Sequence, residues 1–389
     1  MNRNLLILTL SQIFSFTAAP VTVFLSGIIG SQISPLKSLS TLPMSISVVG
    51  IAVGAILATK VMSLIGRKAG FISASIGNFL FSLLAAYSIM DQNFNLFCFA
   101  NFFLGVGMAF THQYRFAAAE SVEKDKVPRA ISIILLGGIV SAFLGPSMAN
   151  YGKDIVTDQL YVGSYLSLAI LTIIPAIFFL FYENTSKLES NIKSSGRSVL
   201  ELISQPRFLQ ALVASAFGYS IMTFLMTATP LSMHVMEKMS LSKTGLVIQF
   251  HVVAMFLPSL ITGNLVKKFG HSNIMYAGVF LYSITIIASF FDQTYYNYMF
   301  ALIFLGLGWN FLFISGTSLL VLTYREEEKF KAQGLNDFIV YSIHATGSLS
   351  AGILIALSNW KTMNIICIPL MILIILTSLR ADILSKKNK

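Results

Sequence analysis

Six ionisable side chains lie inside stretches that are otherwise apolar: Lys60, His112, Arg115, His251, Asp337 and His344. Such groups are expensive in hydrocarbon, so they pair with one another or face a cavity, and they mark paths for ions and solutes. Asp337 is the only acid well inside such a stretch. Its available chemistry is a salt bridge to a nearby cation, or a proton carried through a cycle. Lys60 precedes the turn glycine Gly66, Arg115 precedes Glu120 at the exit of its segment, and Asp337 follows Ala332, each by five or six residues. At 1.5 Å per residue, all three sit about 8–9 Å inside one boundary.

The remaining candidates follow helical spacing. Asp337, Tyr341, His344 and Ser348 share one helix face, as do Asn101, Gly105, Met108, His112 and Arg115, and more loosely Ser215, Tyr219, Thr223 and Thr227. Polar stripes on apolar helices belong on a cavity or a helix contact. His112, His251 and His344 are either hydrogen-bonded packing residues or groups that meet substrate or titrate, since imidazole changes charge near physiological pH. Trp309-Asn310 follows a glycine pair in mid-segment; the indole either packs or stacks on a planar ligand. No metal-ligand spacing, nucleophile–base pair or phosphate-binding loop is present, so catalytic, metal and cofactor-binding residues are expected to be none.

The elements that must position these groups are set by composition. Of 389 residues, 55% are hydrophobic and 11% charged, against about 25% charged in a soluble domain. Twelve apolar segments are long enough to cross a bilayer, at about 5–29, 41–63, 70–90, 96–118, 130–151, 162–182, 208–236, 244–266, 273–291, 297–323, 332–357 and 361–380. An all-α membrane protein follows, with residues 1–182 as one six-helix bundle, 183–207 as a polar linker and 208–389 as a second bundle. The net charge of +10 reports topology and not nucleic acid. One set of loops is crowded with Lys and Arg, whereas the opposite loops hold only Lys37, Lys153, Lys238, Lys243 and Lys361. The positive-inside rule then puts the linker and both termini in the cytoplasm, with the chain in the inner membrane. Cys98 and Cys367 read as small buried hydrophobes.

The two halves repeat. Phe103-Leu-Gly-Val-Gly-Met-Ala-Phe110 returns as Phe304-Leu-Gly-Leu-Gly-Trp-Asn-Phe311. At nearly the same offset Arg129-Ala130 matches Lys331-Ala332, Gly145-Pro146 matches Gly347-Ser348, and Ile65-Gly66-Arg67 matches Phe269-Gly270-His271. Four landmarks in register indicate a duplication. Parallel repeats of this kind place a solute site near the midplane, where their helices meet.

These features resemble the major facilitator superfamily along the whole chain. Its loop signature between helices 2 and 3 is similar to Gly263-Asn-Leu-Val-Lys267-Lys268-Phe269-Gly270-His271, and more faintly to Gly66-Arg67-Lys68 with Thr59 at the first glycine position. The acidic position is Ser63 in one loop and Lys267 in the other. Gly145-Pro146 in helix 5 resembles part of an antiporter motif. The resemblance implies two pseudo-symmetric six-helix bundles and alternating access. It also makes helices 2, 4 and 11 neighbours on the cytoplasmic side, where Lys60, Arg115 and Asp337 would form an ionic gate in place of the missing acid. The alternative is that Lys60 snorkels to the headgroups and Asp337 caps the start of helix 11.

The resulting expectation is a secondary transporter for a small solute, proton-coupled, monomeric and surrounded by lipid, with no nucleic-acid partner and no enzymatic activity. His112, His251, His344, Tyr341, Trp309, Asn310 and Tyr219 are its candidate substrate and proton path. Import of a nutrient or vitamin, export, and an intramembrane lipid-modifying enzyme stand as the alternatives.

Overall fold

The computed structural model describes residues 2–36, 39, 42–156, 159–184 and 196–387. Among these every regular element is helical. In chain order they are α1 Arg3–Ser15, α2 Ala18–Ile33, α3 Leu42–Met90, α4 Phe94–His112, α5 Tyr114–Glu120, α6 Val127–Gly152, α7 Val162–Leu180, α8 Val199–Ser204, α9 Pro206–Pro230, α10 Leu241–Phe256, α11 Ser259–Phe269, α12 His271–Ala288, α13 Tyr295–Val321, α14 Lys329–Leu357, α15 Trp360–Ile366 and α16 Ile368–Lys387.

Ten candidate spans lie among the described residues. One of them, α3, runs 49 residues and has non-helical backbone at Gly66, so it holds two spans. The 29-residue α14 is long enough to be a further one. The expected twelve are thereby accommodated, with local differences. The first expected span is divided into α1 and α2, and the polar linker contains the short helix α8, opened by a capping box of Ser198 and Glu201. The linker residues 185–195 lie outside the described residues. Proline explains the break between α10 and α11 at Pro258 and that between α15 and α16 before Pro369, because it removes a backbone donor.

The chain forms two compact units: Met1–Val122 with Ile134–Ser194 and Gln333–Tyr341, and Glu123–Ile133 with Ser195–Ala332 and Ser342–Lys389. A cut at the linker does not reproduce them. The start of α6 falls with the later helices, and nine residues of α14 fall with the earlier ones. The first of these segments contains the repeat landmark Arg129-Ala130, and the second begins just after Lys331-Ala332.

In the first unit an apolar cluster of Ala18, Val21, Leu25, Ile29, Phe97, Leu104, Met108, Tyr165 and Leu168 joins α2, α4 and α7. Large apolar side chains such as Leu64, Leu80 and Ile170 point outward instead, as a lipid-facing surface requires. Between helices in lipid there is little hydrophobic gain, so close approach through small residues does the packing. The repeated glycine pairs serve that purpose in both units. Gly105 lies on the Ser47 backbone of α3 and Gly107 on Asn78; Gly306 lies on the His251 carbonyl of α10 and Gly308 on Tyr282 of α12.

Candidate functional site

In the first unit, α4 stops at His112, Gln113 turns the chain, and α5 carries Arg115 onward. Arg115 and Asp337 are both buried and form an ion pair through Nη2 and Oδ1. Gln113 Nε2 donates to the other carboxylate oxygen at 2.8 Å, and Asn336 Nδ2 donates to Oδ1 at 3.0 Å. Arg115 Nη1 also donates to the Tyr341 hydroxyl at 3.2 Å. A buried pair is tolerable only with such added hydrogen bonds, because desolvation otherwise outweighs the Coulomb attraction.

A second polar group lies one turn away on the same face of α14. Arg67 Nε donates to Glu120 Oε2 at 2.8 Å, and its Nη2 donates both to Glu120 Oε1 and, at 2.8 Å, to Gln333 Oε1. Gln333 Nε2 donates back to Glu120 at 3.2 Å. Gln333, Asp337 and Tyr341 are spaced by four, so one stripe of α14 meets both arginines. The non-helical turn at Gly66, with φ +81° and ψ 162°, puts Arg67 into this group.

Lys60 is not part of it. Its side chain is exposed, because it falls on the outer face of α3 while Thr59 beside it packs against Gly334 of α14. The structure therefore brings together Arg115 and Asp337 of the expected ionic trio, while the second cation near α14 is Arg67, bound to Glu120 and Gln333. Glu120 and Gln333 were missed. Glu120 was read only as the exit of helix 4, although its position one helical stretch beyond Arg115 was a usable signal.

His112 stacks on Tyr341 with ring centroids 4.6 Å apart and planes at 27°; Phe16 meets its edge at 6.1 Å. Gly145 packs on Pro20 of α2. The side chain of Pro146 lies outside the described residues. Lys68 Nζ donates to the Leu180 carbonyl at 2.6 Å.

In the second unit the corresponding loop also carries a basic residue paired with an acid. Lys267 occupies the acidic position and pairs at 2.7 Å with Asp125, just ahead of α6. Gly263 lies against the backbone of Pro128 and Arg129. Gly270 repeats the Gly66 conformation, with φ +83° and ψ 159°. Lys268 lies over the Phe269 ring at 5.1 Å.

Deeper in this unit Tyr219 of α9 lies against His344 of α14, with centroids 4.6 Å apart. It meets Trp309 at 5.4 Å and Phe313 at 5.5 Å, both edge to face. Trp309 stacks on Phe313 at 4.9 Å and 13°, and Phe256 closes on it at 5.7 Å. Trp309 and Phe313 are buried, while Tyr219 and His344 are partly accessible.

Two candidates belong to packing instead. Asn310 is wholly buried and bonded to Thr262, Ser259 and the Met255 carbonyl, which ties α13 to α10 and α11. His251 is wholly buried, its Nδ1 is 2.7 Å from the Leu302 carbonyl, and Gly306 covers its backbone. The bonds of Asn310 satisfy polar groups held away from water, whereas His251 Nε2 has no hydrogen-bond partner among the described residues. Among the described residues no cluster of His, Cys, Asp and Glu suited to a metal ion occurs.

Helices, repeat and buried polar stripe together define a polytopic transporter fold. The sequence profile of the Major Facilitator Superfamily matches residues 5–247 and 228–388, and the chain belongs to that family. It is 34% identical to the riboflavin transporter RfnT of Brucella anthropi over 96% of this chain and 94% of that one. It is 26% identical to the uncharacterized transporter YddS of Bacillus subtilis, over 93% and 87%. Among solved structures, the human organic anion transporter MFSD10 superposes with a TM-score of 0.78 at 12% identity, covering 97% of this chain and 99% of that one. The transporter FucP in its outward conformation gives 0.73 at 16%, covering 97% and 98%. At those identities the likeness concerns fold alone.

Proposed function

We propose that this protein imports riboflavin or a closely related flavin across the inner membrane by alternating access, coupled to protons, with both termini cytoplasmic. The observation that carries the reading is the 34% identity to a riboflavin transporter along nearly the whole of both chains. The aromatic group around Tyr219 and Trp309 supports it, since a flavin ring is planar and binds by stacking. The charge pattern of the loops supports the orientation.

In this reading, Arg115–Asp337 and Arg67–Glu120–Gln333 act as the gate on α14, forming in one state of the cycle and opening in the other. A set of pairs that already satisfies its buried charges gives such a state a defined minimum, and exchange with water on opening compensates the loss. The protein works as a monomer within the lipid.

The test uses bacteria that need external riboflavin and have lost their own uptake system. Expression of this chain restores growth and accumulation of labelled riboflavin, and Asp337→Asn abolishes both. Failure of the wild-type chain to take up any flavin, while correctly inserted, sinks the proposal.

A further inference from the structure

We infer that the aromatic group of the second unit is the subsite that holds a planar heteroaromatic ring, with the indole N–H of Trp309 as its fixed hydrogen-bond donor. This rests on the flavin reading and adds residues and roles to it.

Three observations converge. First, Tyr219 and His344 are partly accessible, though both sit on membrane-spanning helices and both have polar tips. Such side chains face a watered space and not lipid tails. Second, the two rings lie 4.6 Å apart, tilted at 32°, and Trp309 and Phe313 hold Tyr219 from its edge. A flat ligand laid on the accessible side meets a wall whose own rings are held by packing. Third, Trp309 is only 2% exposed, yet its Nε1 has no hydrogen-bond partner among the described residues. A buried indole N–H normally finds an acceptor. A ring nitrogen or carbonyl of the solute supplies one, and discriminates against flat hydrocarbons that cannot accept.

The neighbouring Asn310 does not compete for this role, because it spends its amide on α10 and α11. One ring nitrogen of His251 is turned to Leu302, while its Nε2 is also buried without a partner among the described residues. The repeat sharpens the point: Met108-Ala109 occupies in the first unit the place that Trp309-Asn310 takes in the second. The duplicated helix has thus acquired its aromatic donor in one copy.

The experiment is a titration of riboflavin into purified, lipid-reconstituted protein, read by quenching of flavin emission on stacking. Wild type quenches saturably. Tyr219→Ala and His344→Ala weaken binding by about tenfold or more, the scale of a lost aromatic contact. Tyr219→Phe, which keeps the ring, loses less than Tyr219→Ala. Trp309→Phe keeps an aromatic ring while removing the N–H together with part of the indole, and it weakens riboflavin about tenfold. If the wild type binds and all of these variants bind within twofold of it, the subsite is wrong and the flavin reading stands. If the wild type gives no quenching, the flavin reading falls and takes the subsite with it.

Discussion

Asp337 shows how one residue decides an account. Its carboxylate receives Arg115, Gln113 and Asn336, and it is wholly buried. Asp337→Ala leaves the Arg115 guanidinium without its carboxylate and is expected to destabilise the protein by about 3–5 kcal/mol and to abolish uptake. The exchange Arg115→Asp with Asp337→Arg restores a pair in the same place and recovers about a tenth or more of wild-type uptake, because coupled residues are not additive. Lys60→Ala stays within about twofold, since exposed charges contribute little. Labelled-solute uptake by the three variants checks these statements, and a thermal melt of Asp337→Ala reads the stability loss. Asp337 and Arg115 were legible in the sequence because an ionisable residue inside an apolar run announces itself. Arg67 and Glu120 were harder to read. Each sits beside a helix end, where charge is ordinary, and only the bend at Gly66 brings them together.

At the scale of elements, two matched bends and one buried tie do the positioning. Gly66 and Gly270 share a backbone conformation, φ +81° and +83° with ψ near 160°, that side-chain-bearing residues do not adopt. Gly270→Ala is expected to cost about 1–3 kcal/mol from the backbone alone, since nothing lies within 4 Å of an added Cβ. Gly270→Asn does not rescue it, because asparagine tolerates left-handed helical ψ and not this one. Thermal melts of the purified variants read the difference.

The start of α14 is held by Glu328, which is buried and accepts from Arg197 Nε at 2.8 Å and Nη2 at 2.5 Å, and from the Arg197 backbone at 2.8 Å. The hydrogen bonds from the Arg197 guanidinium hold its carboxyl down at about 2, from an ordinary value of 4.5. The tie therefore contributes fully above pH 4.5 and is lost as pH falls from there through about 2. Glu328→Gln should lower stability by about 2 kcal/mol, less than a fully buried pair because Arg197 is partly exposed. The gap in melting temperature should stay constant from pH 5.5 to 8 and narrow below 4.5. A gap that widened in acid would refute the tie.

Over the whole molecule the duplication organises what the sequence could and could not reveal. Apolar length gave the spans, and repeated landmarks gave the internal correspondence, because close helix packing in lipid needs small residues at fixed places. Sequence could not show that Gln333–Tyr341 belongs with the first unit and Glu123–Ile133 with the second. That membership depends on which partners Asp337 and Lys267 find, and charge spacing alone does not name a partner. Nor could it separate His251 and Asn310, which pack, from His344 and Trp309, which are proposed to meet solute: all four are polar or aromatic residues at mid-helix.

The activity proposed for this family member is transport of a flavin, driven by a proton gradient. It is tested most directly in proteoliposomes containing the purified chain, loaded with neutral buffer and diluted into acidic buffer with labelled riboflavin. Accumulation above the outside concentration is expected, with its collapse by a protonophore, and none of it with Asp337→Ala. Riboflavin entry no faster than into protein-free vesicles, with or without the gradient, would contradict it.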